Sequence, residues 1–309
     1  MAFVFVALPL FLSTSGSNSQ DTNHAGFIKV GGLKRTYLIH IPAGFDILKS
    51  RPLLIALHGG GGTGRNMVKL TLGRFDKLAD DRGFVVVYPD GIDKHWNDGR
   101  ESEGTGSNKK NIDDVGFIAA LIDNLVKEVN IDPEHVYVTG MSNGAIMSYR
   151  LGCELSEKIT AIAPVAGNIP QDLLLTCSPS VTVSVLAINN VNDPLVPFEG
   201  GDVTGPYGLR KLGKVLSASE SVKLWVNRDN CSAVPVITYE PDRDPGDGTR
   251  VRKETYGNGE KNTEVILYAI EGGGHTWPGG YQYFSVRMVG RTSRDMNAAD
   301  VIWDFFEKH

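Results

Sequence analysis

The chain has 309 residues, 41% hydrophobic and 22% charged, with a formal net charge of −5. That suits one large α/β domain or two small ones. The acidic balance gives no electrostatic reason to expect nucleic acid or a stable membrane association, and no internal apolar run is long enough to span a bilayer.

Ala2 to Leu12 is an almost unbroken apolar run, followed by the small polar stretch Ser13–Ser19. This pattern predicts a secretory signal peptide within residues 1–20, although no Lys or Arg occurs before Lys29. The alternative is a buried N-terminal strand. On the first reading the protein is exported, extracellular or periplasmic. The remainder shows no linker and no repeat, so residues 25–309 are expected to form a single domain. Of the three cysteines, Cys153, Cys177 and Cys231, none forms a C-x-x-C, which disfavours a zinc or redox motif. In an exported chain three cysteines allow at most one disulfide and one free thiol.

Phe27–Val30, Gly31-Gly32 and Leu33–Ile41 predict an antiparallel hairpin. Pro52–Leu57 is continuously apolar, as in a strand buried on both faces, and runs into His58-Gly59-Gly60-Gly61-Gly62. A phosphate-binding loop is excluded there, because Arg65-Asn66 stand where Lys-Ser would be needed. A helix is predicted over 67–81, a strand over 84–88 and a long polar loop near the site over 92–111. Trp96 in that loop has two readings, stacking on a substrate ring or anchoring the loop. Asp113–Val129 has helical spacing, with Asp113 or Asp114 placed to cap it rather than to catalyse.

Val136–Thr139 is a strand ending in Gly140-Met141-Ser142-Asn143-Gly144, with a helix-compatible segment after it. This is the strand, sharp turn and helix context of a G-x-S-x-G nucleophile. Strands follow over 159–166 and 181–188, separated by an irregular segment, 169–179, expected to contribute to a cap. A helix over 217–228, a hairpin within 231–261, a strand over 264–270 and a closing helix over 298–308 complete the chain. Alternating strands and helices predict a mostly parallel central sheet with helices on both faces.

Ser142, Asp193 and His275 all fall where predicted strands give way to loops, and open α/β sheets place their sites at those ends. The order Ser, Asp, His is that of α/β-hydrolases. A serine hydroxyl needs a base to take its proton during attack. His275 is the candidate base and Asp193 the group that fixes its tautomer. The Asn143 N–H and an N–H of the His58–Gly62 loop, with Gly60 favoured, would hold the oxyanion. His58 is a rival base, but its place in the glycine loop favours a structural role. His58, Trp96 and Trp277 are candidate substrate contacts.

The motifs His58–Gly62, Tyr88–Gly91, Asp114–Phe117, Gly140–Gly144, Asp193–Pro197 and Gly273–Gly279 together resemble those of secreted esterases. The family groups poly(3-hydroxybutyrate) depolymerases with feruloyl and acetylxylan esterases of carbohydrate esterase family 1. The resemblance runs from about Gly32 to the C-terminus. It implies an α/β-hydrolase fold, Ser142, Asp193 and His275 as the triad, no metal or organic cofactor, and a Cys153–Cys177 bridge with Cys231 free. It also implies an ester substrate, either a plant cell-wall phenolic ester, which is the first choice, or a hydroxyalkanoate oligomer. Two features depart from the family: Asn189-Asn190-Val191 stand where His-Gly-Thr is usual, and Cys231 lacks the later partner some members have. Two other activities compete, a peptidase on the same fold and a catalytically inactive carbohydrate-binding protein.

Overall fold

The computed structural model describes residues 23–100, 110–205 and 210–309. The segment read as a signal peptide lies outside the described residues, as does 101–109 of the polar loop.

Ten strands form one sheet. In chain order they include β1 (Asn23–Val30), β2 (Leu33–His40), β3 (Arg51–Leu57), β4 (Val85–Pro89), β5 (Ile131–Met141), β6 (Ala161–Val165) and β7 (Ser184–Asn190). After the small hairpin β8 (Gly201–Thr204) and β9 (Lys211–Val215) come β10 (Val236–Tyr239), β11 (Arg250–Tyr256) and β12 (Val265–Glu271). The order in the large sheet is β1-β2-β4-β3-β5-β6-β7-β12-β11-β10. Its centre, from β4 to β12, is parallel, and the hairpins at both edges are antiparallel.

The continuous apolar runs are explained by burial on both faces. Leu53, Ile55 and Leu57 of β3 point into a core with α3 (Asp114–Val129), α4 (Asn143–Glu154) and α5 (Ala218–Arg228). Leu54 and Ala56 point the other way, into a core with α1 (Gly64–Leu70), α2 (Arg74–Arg82) and α6 (Ala298–Phe306). This is the expected mostly parallel sheet with helices on both faces. The N-terminus of α5 carries a full capping box, with Ser217 and Glu220 each accepting from the other's backbone N–H.

Two expectations need correction, and one left open is resolved. The helix expected over 67–81 is two helices, because Thr71 Oγ1 turns back onto Met67 O and Val68 O, and Leu72 and Gly73 adopt positive φ. The cap on α3 is Asp113, whose Oδ1 accepts from Gly116 N–H at 2.7 Å. Asp114 is instead fully buried, 2.5 Å from Arg35 Nη2, and accepts from Asn97 N–H. Segment 169–179 lines no part of the cleft described below; the β8–β9 hairpin does. The segment packs against the end of β9, where Pro170 bridges Val215 and the next residue, Leu216, donates its N–H to Ile169 O.

Cys153, near the end of α4, is bonded to Cys177, and Cys231 is free. The bridge closes a separation of 24 residues, which on the chain-entropy view stabilises the fold by roughly 3 kcal/mol. Burial and the nearby Asp229 carboxylate push the Cys231 thiol up to about 11, so it is not a reactive thiolate at neutral pH.

Candidate active site

β5 ends at Met141 and α4 begins at Asn143, so Ser142 is the whole of the turn. It sits at φ 57° and ψ −118°, a conformation that costs a non-glycine residue about 1–3 kcal/mol. The surroundings hold it there. Ser142 N–H donates to Val165 O at 2.9 Å, and Ser142 O accepts from Ile146 N–H at 2.9 Å. A Cβ on Gly144 would lie 2.5 Å from Leu57 O and 2.6 Å from His58 O, so helix and strand pass this closely only with glycine. The Ser142 side chain does not cap the helix, which leaves its hydroxyl available to the cleft.

β7 and β12 run parallel to β5 and deliver the other two residues at the same carboxyl end of the sheet. Asp193 follows the end of β7, and His275 follows the end of β12. His275 Nδ1 lies 2.7 Å from Asp193 Oδ2, and both side chains are nearly inaccessible to solvent. The second oxygen, Oδ1, accepts from Leu195 N–H at 2.8 Å and Val196 N–H at 2.9 Å. The carboxylate is therefore fixed in direction, and the Nδ1 proton of His275 is directed to it. The loop carrying His275 is strapped down by segment 281–291. His275 N–H donates to Val289 O, Gly274 N–H to Arg291 O, and Tyr283 O–H to His275 O. Asn190 Nδ2 joins β7 to the same loop through Thr276 O at 3.2 Å, from the stretch where the family usually has His-Gly-Thr.

Ser142 and His275 line one cleft of about 630 Å³, together with Asn143 and residues 58–62. Its apolar walls come from Met67 and Leu70, from Val203 and Leu212 of the β8–β9 hairpin, and from Tyr283 and Met288 of the strap. Sequence reading missed the hairpin and the strap. Their signals, the Gly200-Gly201 turn and the aromatic cluster at 281–284, are too short to show periodicity.

The three candidate substrate contacts fare differently. His58 lines the cleft, but its ring is occupied. Gly91 N–H donates to Nε2 at 2.9 Å, so the proton is on Nδ1, which donates to Gly59 O at 2.8 Å. No lone pair is left for proton abstraction, and His58 is a strut rather than a base. Trp96 and Trp277 are not substrate contacts. Both are fully buried and neither lines the cleft. Trp96 Nε1–H donates to His58 O, and Trp277 packs edge-on against Phe75 with ring centres 5.9 Å apart.

The His58 strut makes folding sensitive to acid. Burial pulls its pKa down to about 4, against about 6.5 in an unfolded chain. Between those values the unfolded state binds the extra proton, so stability present at neutral pH is lost as pH falls toward 4. The loss amounts to about 3 kcal/mol. Denaturant unfolding of the wild type and His58→Gln between pH 7 and 4 should show the two stabilities converging by that amount; parallel profiles would contradict it.

The family described as esterase PHB depolymerase matches residues 35–173. NocK of Nocardia uniformis subsp. tsuyamanensis, a protein classed by name as an esterase, is 32% identical over 290 residues, spanning 92% of this chain and 82% of NocK. Feruloyl esterase B of Piromyces equi is 27% identical over 247 residues, 78% of this chain but only 42% of that protein. Among solved structures, an acetyl xylan esterase from Aspergillus awamori superposes with a TM-score of 0.52 at 16% identity, covering 78% of this chain and 89% of the other. At that identity the likeness concerns the fold, which is that of the α/β-hydrolases.

Proposed function

The chain belongs to the poly(3-hydroxybutyrate) depolymerase and feruloyl esterase family, and from that premise we propose that it is an exported serine esterase working through an acyl-enzyme. That it is an ester hydrolase follows from the family. The serine mechanism rests chiefly on one observation, the 2.7 Å contact between His275 Nδ1 and Asp193 Oδ2 at the cleft Ser142 also lines.

Ser142 Oγ attacks the ester carbonyl carbon while His275 Nε2 takes its proton. The tetrahedral oxyanion is held by the Asn143 N–H and the Gly60 N–H. Within the glycine loop, the Gly61 and Gly62 N–H groups are already donated to Lys94 O and Gly59 O, which supports Gly60 over them. Collapse breaks the ester C–O bond, and the leaving alcohol takes the proton from His275. Water then repeats the sequence on the acyl-enzyme and releases the acid. Asp193 stabilises the imidazolium in both halves.

The proposed substrate is a plant cell-wall phenolic ester of the feruloyl type. Tyr281, Tyr283 and Phe284 line the cleft and suit an aromatic acyl group. A hydroxyalkanoate oligomer is second, on the family's own description. Comparing kcat/KM on methyl ferulate, acetylated xylan and hydroxybutyrate oligomers tests the choice. Methyl ferulate should be the best; faster turnover of the oligomers would replace it. Inertness toward p-nitrophenyl acetate would instead favour a carbohydrate-binding protein without activity.

A further inference from the structure

The two proposed oxyanion donors, Gly60 N–H and Asn143 N–H, sit on separate elements, the glycine loop and the start of α4. A buried strut connects these elements. Trp96 Nε1–H donates to His58 O at 2.9 Å, which holds the base of the glycine loop. The backbone of the same tryptophan grips Asn143. Trp96 N–H donates to Asn143 Oδ1 at 2.8 Å, and Trp96 O accepts from Asn143 Nδ2 at 3.1 Å. The other Nδ2 proton goes to Asp98 Oδ2 at 2.5 Å. Asp98 in turn accepts from Arg100 Nε and Nη2 at 3.0 and 2.6 Å. Trp96 and Asp98 are fully buried, and Asn143 and Arg100 are each 4% exposed.

Two points make this more than packing. A backbone N–H at the first helical position can be offered by any residue except proline, so donating to an oxyanion does not require asparagine. Asparagine is also a poor helix former, because its amide competes for backbone groups. Here both amide protons of Asn143 are spent on Trp96 O and Asp98, so the side chain is not a third donor to the substrate. What remains for it is orientation. Asp98 would be a costly neighbour for a developing oxyanion if left unpaired, and Arg100 compensates that charge from the cleft wall.

We propose that Asn143, through its side chain, and Asp98 are positioning residues: with Trp96 they set the spacing and direction of the Asn143 N–H relative to the Gly60 N–H. This rests on the serine esterase reading and on the oxyanion assignment within it. The oxyanion exists only after attack. A misplaced donor therefore lowers kcat and leaves substrate binding nearly as it was.

Asn143→Ala separates the two roles, since it keeps the backbone N–H and deletes the strut. Its kcat should fall by about 10- to 100-fold, because displacing a donor costs less than removing it. KM should stay within about threefold. Affinity for an aryl trifluoromethyl ketone, which forms a hemiketal oxyanion on the serine, should weaken in step with kcat. Folding is checked by thermal melting. A folded Asn143→Ala with kcat within about threefold of wild type overturns the proposal, as does a kcat loss with unchanged ketone affinity. Should Asn143→Ala not fold, the near-isosteric Asp98→Asn decides: about tenfold lower kcat and ketone affinity are expected, because a neutral bond replaces a charge-assisted one, and unchanged values overturn it. If the wild-type enzyme forms no adduct with the ketone, the serine mechanism fails, and this inference fails with it.

Discussion

Ser142→Ala is expected to lower kcat by about 10⁴ or more while the protein stays folded. The size of the effect follows from the chemistry. In the proposed mechanism, without Oγ there is no acyl-enzyme, and only the oxyanion donors and substrate binding are left to assist attack by water. Stability should barely change, since the hydroxyl makes no capping bond and alanine inherits the same backbone strain at φ 57° and ψ −118°. Ser142→Gly sharpens the test. It should be equally inactive, yet about 1 kcal/mol more stable, because glycine relieves a strain of about 1–3 kcal/mol and gives back part of it as backbone entropy. Initial rates on p-nitrophenyl acetate with thermal melts for the three proteins check both statements. An alanine variant keeping more than about a tenth of wild-type kcat would remove Ser142 as nucleophile.

Much of this site was legible because its residues sit at the ends of strongly patterned strands. The unbroken apolar runs of β3, β4 and β7 announce burial on both faces, and their ends locate the loops that carry Gly60 and Asp193. What stayed hidden depends on partners far away in the chain. Trp96 in a polar, glycine-containing loop has the same local sequence whether it faces a ligand or a core, and its partner His58 O is 38 residues away. Trp277 beside His275 is likewise decided by Phe75 on α2, far away in the chain but in contact with it. The break between α1 and α2 was concealed because apolar spacing continues across Leu72, an exposed side chain, and a single Gly73 is tolerated within a helix. Asp113 and Asp114 are equivalent as sequence; only the position of Arg35, on β2, separates a surface cap from a buried ion pair.

That separation leads to the sharpest comparison among the carboxylates. Asp193→Asn should fold and lose up to about 10⁴ in kcat. Its Oδ1 can still accept from the Leu195 and Val196 N–H groups, which aims the new amide nitrogen at His275 Nδ1. An amide donor there makes Nδ1 accept, moving the imidazole proton to Nε2, the atom that must receive the proton of Ser142. Asp114→Asn should do the opposite. It leaves Arg35 buried, with its guanidinium 3.9 Å over the Phe117 ring and no carboxylate to pair with. Breaking a buried pair from one side costs about 3–5 kcal/mol, which for a chain of this size lowers the melting temperature by about 5–8 °C. The molecules that remain folded should turn over at close to the wild-type rate, because neither Asp114 nor its partners Arg35 and Asn97 line the cleft, and an asparagine there can still accept from Asn97 N–H. The measurement is kcat per folded molecule at a temperature well below both melts. If Asp193→Asn keeps near-full activity while Asp114→Asn is stable and dead, the acid that orients His275 is the one on α3, and the 2.7 Å contact with Asp193 is structural.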